Sequence, residues 1–392
     1  MRELARVTVA AMALVIGLNA QPSAGQESPA CSARSCGEDL VYIGTQGNGA
    51  GQGIFTARFD PNSGRLTLIG LGAEVARPTW LLAHPSLPVI WANSDPGADS
   101  VLPSRIIAYR IDPKSGALRE ASGTASGGKG PTHSSFDPVS KTLFVANYAS
   151  ATVAALPVRA DGTLDDPSSR QNDFGTGPGR RQSAPHSHAA VFDSAGHHLL
   201  VPDLGADRLF VYRFDAKSRQ LSPAAPPYVQ LTAGAGPRHA AVHPGGSFVY
   251  LISELRPAID VFRWSADHAR LDPVETIATM PDDAEDKNKG AEIMISPDGR
   301  FLYTSNRGED FILVQSIDPR SGKLTELQRI SSGGQLPWNF VLHRSGRWML
   351  VANQASGSIT VFARDTKSGK LSATEQSISL AKPTSVVFAS RR

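Results

Sequence analysis

Apolar and polar residues alternate along this chain over short runs, and Gly, Pro, Asp and Ser cut the runs apart. Segments such as "LFVAN", "IDVFRW" and "FLYTS" are rich in β-branched and aromatic residues. That pattern predicts strands, whereas helical periodicity is weak throughout. The strands recur as copies of one unit. "RPTWLLAHPSLPVIWANSD", "GPTHSSFDPVSKTLFVANYAS", "APHSHAAVFDSAGHHLLVPDLG", "GPRHAAVHPGGSFVYLISEL", "GAEIMISPDGRFLYTSNRG" and "LPWNFVLHRSGRWMLVANQAS" each read as a strand, a turn and a second apolar strand. A third strand and a "DPxSGxL" turn follow. The units open at Pro78, Pro131, Pro185, Pro237, Gly290, Pro337 and Pro383, spaced 46 to 54 residues apart. A repeat of that length with several strands per copy is the signature of a β-propeller.

The two ends complete the ring. "KPTSVVFAS" is an opening strand with no successor, while "LVYIGT" and "GIFTARFDPNSGRLTLIG" are later strands with no opening one. Joined, they make a seventh blade and remove the open edge of a linear array. The expected fold is therefore all-β, a seven-bladed propeller over residues 39–392, closed by a blade shared between the N- and C-terminal strands.

The segment ahead of it reads differently. Residues 1–25 carry Arg2 and Arg6, an apolar run from Val7 to Leu18, and small residues at Ala20 and Ala24. This is the order of a signal peptide, with an apolar run too short to span a bilayer. It predicts a periplasmic or secreted protein with no membrane span in the mature chain. Residues 26–38 form a flexible leader holding the only cysteines, Cys31 and Cys36, which either close a small disulfide or stay as two idle thiols. The formal charge of +3 and the lack of a basic, aromatic-laced stripe argue against a nucleic-acid partner. A small-molecule ligand and a monomer are expected.

In each unit the second strand returns to the point where the first began. The start of strand one and the end of strand two therefore share one mouth of the channel. This places Trp80, His133, His186, His188, Asp203, Arg238, His239, Glu254, Glu292, Asn306, Arg307, Trp338 and Asn339 around that mouth. The ionisable ones concentrate in three consecutive units, which points to a site on one side. Asp203 reads equally as a turn cap. His243 and His343 fall near the opposite mouth and read as structural.

"GPRHAAVHPGGSFVYLISEL", "PHSHAAVFDSAGHHLLVPDLGADRLFVYRFD", "SPDGRFLYTSNR" and "DPRSGKLTELQ" resemble the seven-bladed propeller lactonase family. That family includes propeller-type 6-phosphogluconolactonases and carboxy-cis,cis-muconate cyclases, and the resemblance covers nearly the whole mature chain. It implies a catalytic histidine, two arginines and a glutamate, with no metal and no cofactor. These fall on His188, with His186 as its competitor, and on Arg238, Arg307 and Glu254. His186, His239, Asp203, Glu292, Asn306, Trp338, Asn339 and His133 are then expected to bind the substrate. Trp338, where a phosphosugar enzyme has use for a basic side chain, and the leader both point away from a 6-phospho substrate, though not from the lactone class.

Lactone opening builds negative charge on the carbonyl oxygen, which a guanidinium stabilises. Water needs a base near neutral pH, and His188 fits that need. Glu254 would orient His188 or Arg238, or act as base if its pKa is raised. No GxSxG elbow is present, so no serine nucleophile is expected. The same groups serve ring closure as in a cycloisomerase. A non-catalytic binding module and a metal-dependent lactonase using Glu254, Glu292, Asn306 and Asp203 are the other readings.

Overall fold

The computed structural model describes residues 37–47, 52–97, 100, 102–281 and 287–389. The expected signal peptide and Cys31 and Cys36 lie outside the described residues. The strands form seven four-stranded sheets. In the closing sheet the C-terminal strand Pro383–Phe388 pairs antiparallel with Asp39–Thr45, which is followed outward by Gly53–Phe59 and Leu66–Glu74. The ring is thus sealed by backbone hydrogen bonds between the two ends of the fold, as the orphan strands of the sequence require.

Every neighbouring pair of sheets encloses an apolar cluster. Phe144, Leu199, Phe210 and Tyr212 fill one such interface, and Tyr250, Ile252, Leu302 and Leu313 another. The second strand of each blade lies between two such clusters and is buried on both faces. Phe248–Ser253 and Phe301–Arg307 are buried along their whole length. That explains their unbroken apolar runs. The outermost strands, such as Leu371–Ser379, alternate half-buried and exposed positions along most of their length.

The "DPxSGxL" turns also tie blades together. Asp318 accepts the Arg320 and Ser321 N–H groups, and Gly322 takes φ +76°. The carbonyl of Gly322 then accepts the Tyr250 hydroxyl of the preceding blade at 2.9 Å. Tyr42 to Gly116 and Tyr303 to Gly369 repeat the device. His343 is buried in a turn and pairs with Asp39 at 2.8 Å, binding the closing blade to its neighbour. His243 bonds the Gly299 carbonyl across another blade boundary.

The unit that opens without a proline has a packing reason. A Cβ on Gly290 would press against the backbone carbonyl oxygen of Ser253, well inside van der Waals contact, with Ile252 behind it. Gly290→Ala is expected to destabilise the protein by about 1–3 kcal/mol through overpacking at this blade boundary. A urea midpoint equal to that of the wild type would show that the boundary yields freely.

Candidate active site

One feature of the inner strands sets the mouth. In six of the seven blades the ladder shifts register just after the first residue. The shift falls between Pro78 and Trp80, Pro131 and His133, Pro237 and His239, Gly290 and Ile293, and Pro337 and Asn339, and beside Pro383. Such a bulge adds one unpaired residue and re-aims side chains. Arg238 is the extra residue in its blade, so it and His239 both reach the channel although strict alternation would send them to opposite faces. Upstream of the prolines the chain turns through the left-handed region, at Arg77 (φ 39°), Gly130, Gly236, Leu336 (φ 55°) and Lys382 (φ 48°). Residues before proline normally avoid that conformation. Three non-glycine residues hold it here at some cost in backbone strain.

At the centre of the cluster is Glu254, which directly follows the second strand of the Pro237 blade and is 4% exposed. Its Oε2 accepts Arg238 Nε at 3.1 Å and lies 2.9 Å from Arg307 Nη2. Its Oε1 accepts Arg181 Nη1 at 2.5 Å. His188 Nε2 stands 3.8 Å from Oε2. Burial alone would raise this carboxyl, but Arg307, Arg238, His188 and Arg181 outweigh it and hold it well below the ordinary carboxylate range. Glu254 is therefore a fixed anion, and the raised pKa that would make it a base is absent. Burial, then Arg307, pushes Arg238 down to about 10, still cationic at neutral pH.

The histidines are neutral. Burial first, then Arg238 and His239, drives His188 well below the ordinary imidazole value. His239 is lowered by burial and Arg238, and His133 falls to about 3 through burial and His239. Their rings pack together, His188 to His239 at 5.2 Å and His133 to His239 at 5.1 Å, with Trp80 against both His133 and His239. His188 Nδ1 has no hydrogen-bond partner among the described residues, nor has His239 Nε2. Glu292 pairs with His239 Nδ1 at 3.0 Å and accepts Asn339 at 2.7 Å, and burial pushes its carboxyl up. A cavity of about 60 Å³ opens between His188, Arg238, His239, Trp80, Thr132 and Trp338. Trp338 lies over Arg307 at 4.6 Å, a cation–π contact that steadies the guanidinium.

The structure thus brings His188, Arg238, Glu254 and Arg307 into one contact group, with His239, Glu292, Asn339, His133 and Trp338 beside it. His186 is set apart. Its ring stacks on Tyr148 at 4.4 Å and bonds the Tyr148 carbonyl. Asp203 departs from its expected substrate-binding place. It is fully buried, and its Oδ1 accepts the His186 and Ala206 backbone N–H groups at 2.8 Å each, so it caps a turn. Asn306 is buried, and neither of its amide atoms has a partner among the described residues. The expected first strand of the His186 blade also differs. Only Val191–Phe192 is strand, with a lone bridge between Ser187 and Asp203. Pro202 on the partner strand has no N–H to offer, and the Asp203 side chain takes the His186 N–H instead.

Arg181 and Tyr148 were not legible in the repeat. Arg181 sits on the long connection between the outer strand Ser169–Asn172 and His186, outside any repeated position, and it donates to the Tyr148 hydroxyl at 3.0 Å. Its only sequence signal is the basic, glycine-rich run "GPGRRQ" ahead of "PHSH".

Residues 40–388 match the family model described as lactonase, seven-bladed beta-propeller. The chain is 30% identical over 308 residues to a 6-phosphogluconolactonase of Bacillus subtilis, covering 77% of this chain and 84% of the relative. It is 30% identical over 263 residues to a 6-phosphogluconolactonase of Erwinia tasmaniensis, covering 67% and 73%. Among solved structures it is similar to the periplasmic gluconolactonase of Pseudomonas aeruginosa, with 34% identity and a TM-score of 0.84 over 90% of this chain and 99% of that one.

Proposed function

Because the chain belongs to the seven-bladed β-propeller lactonase family, we propose that it hydrolyses a sugar-type or carboxylated lactone at the channel mouth, as a 6-phosphogluconolactonase-like enzyme. The observation that carries this reading is a neutral histidine, with a bare ring nitrogen, 3.8 Å from a carboxylate clamped by three arginines. His188 takes a proton from water as the oxygen bonds to the lactone carbonyl carbon. Arg238, which lines the cavity, stabilises the oxyanion that forms. The ring C–O bond then breaks, and the imidazolium returns its proton to the departing ring oxygen. Glu254 stabilises that transient imidazolium and holds Arg238 and Arg307 in place. Most groups of the metal-dependent reading are engaged: Glu254 by guanidiniums, Glu292 by His239 and Asn339, and Asp203 Oδ1 by backbone, which leaves the Asn306 amide and Asp203 Oδ2 without a partner among the described residues. The signal-peptide pattern of residues 1–25 and the likeness to a periplasmic gluconolactonase support action outside the cytoplasm.

A screen of glucono-, 6-phosphoglucono- and muconolactone-type substrates, corrected for spontaneous opening, tests the reading. Its pH profile is a second check. Depression of the His188 pKa keeps the base form present as pH falls through the ordinary imidazole range, so kcat/KM is expected to stay flat there and decline only at more acidic pH. An acid limb centred on an ordinary imidazole pKa would assign the proton transfer to another group.

A further inference from the structure

Glu254 carries one negative charge, and two buried guanidiniums, Arg238 and Arg307, already contact it. Arg181 adds a third cation that this carboxylate does not need for neutrality. Its side chain is 47% exposed, whereas those of Arg238 and Arg307 are 2% and 8% exposed. The surplus charge therefore stands at the rim, between solvent and the buried group.

The backbone under Arg181 is built to hold it there. The adjacent Gln182 is fully buried and donates to the Leu204 carbonyl at 2.8 Å and to Asp207 Oδ1 at 2.7 Å. Asp207 also accepts the N–H groups of Gly234 and Gly236, the lead-in to Arg238. Asp207 lies in the "VPDLGADR" motif and has no part in the chemistry above. It joins the Arg181 connection to the Arg238 blade. Further along, Ser187 donates to Asp173 at 2.6 Å. The connection is thus pinned on both sides, while among the described residues the Arg181 side chain keeps only Glu254 Oε1 and the Tyr148 hydroxyl as hydrogen-bond partners. Solvent reaches this ion pair from the Arg181 side, so a solute anion can compete with Glu254 for the guanidinium there, and the guanidinium fork matches phosphate and carboxylate equally.

We propose that Arg181 is a specificity-determining residue: it exchanges its contact with Glu254 for an oxyanion, phosphate or carboxylate, borne by the lactone outside its ring. This rests on the lactonase reading. It also supplies, from a position outside the repeat, the basic side chain that Trp338 does not provide.

The test compares kcat/KM for 6-phosphogluconolactone, glucarolactone and glucono-δ-lactone in the wild type, Arg181→Gln and Arg181→Lys. In Arg181→Gln the preference for an anionic lactone over the neutral one is expected to fall about tenfold to a hundredfold, carried by KM. Lysine should restore part of it, and added salt should shrink it in the wild type. Whichever lactone, phosphorylated or carboxylated, loses its advantage identifies the anion. An unchanged preference in Arg181→Gln, whether or not all three rates fall together, overturns the proposal and leaves Arg181 a structural contact. If the wild type opens none of the three, the sugar-lactone reading fails and the inference is decided by calorimetric binding of 6-phosphogluconate, glucarate and gluconate. Loss of anion preference in Arg181→Gln would then support it, and equal preference in both proteins would overturn it.

Discussion

His188→Gln is expected to lower kcat for lactone opening by about 10²–10⁴, the usual contribution of a positioned general base. The imidazole lies in the cavity wall and is neutral because burial and the adjacent Arg238 and His239 disfavour its charged form. Its Nδ1 is buried and unpartnered within the described residues, which leaves its lone pair uncommitted to any protein donor. The backbone at this point does not depend on the ring. The His188 N–H donates to Pro202 O and its carbonyl accepts Thr132 Oγ1. Glutamine keeps much of the volume and can hydrogen-bond, but it cannot accept a proton at neutral pH. The variant should therefore fold, with a thermal midpoint close to that of the wild type, and turn over slowly. A folded His188→Gln protein working at the wild-type rate would remove His188 from the chemistry.

Glu254→Gln is expected to damage both stability and catalysis. It leaves Arg238 and Arg307 buried side by side without their counter-charge. Breaking a buried pair in this way costs about 3–5 kcal/mol. The effect has a definite pH signature. The folded-state pKa of Glu254 is depressed below its ordinary 4.5, so its contribution is fully present above that value and is lost as pH falls toward the folded pKa. Urea midpoints of the wild type and variant should be far apart at pH 7 and converge in acid. A gap that stays constant down to acid pH would show that ionisation of Glu254 is not the source. Turnover should fall as well, because Arg238 and His188 both lose the anion that orients or stabilises them.

Much of the fold is legible in the sequence because each blade repeats the same turn chemistry. The prolines at 78, 131, 237, 337 and 383 each begin an inner strand, and the orphan strands at the two ends can pair only with each other. Return of strand two to the start of strand one is enough to bring Arg238 and Glu254, sixteen positions apart, into contact. The choice between His186 and His188 is not legible. In a regular strand residues two apart share a face, so the pattern treats the two rings alike. The chain there is irregular, because Pro202 and the Asp203 side chain interrupt the ladder, and only the structure separates the ring on Tyr148 from the ring beside Glu254. Asp203 misleads for a related reason: a carboxylate at a strand end near the mouth looks the same whether it faces the channel or caps the backbone. Arg181 is missed because it belongs to no repeat.

The most direct test of a metal-free lactone-opening site at this mouth is the initial rate on glucono-δ-lactone and 6-phosphogluconolactone, measured with excess chelator for the wild type and Arg238→Ala side by side. Wild-type turnover is expected to exceed the spontaneous rate, undiminished by chelator, and to fall by about 10²–10³ in folded Arg238→Ala, as when an oxyanion donor is removed. Wild-type activity that vanishes with chelator and returns with Ca²⁺, or a folded Arg238→Ala protein as fast as the wild type, would contradict it.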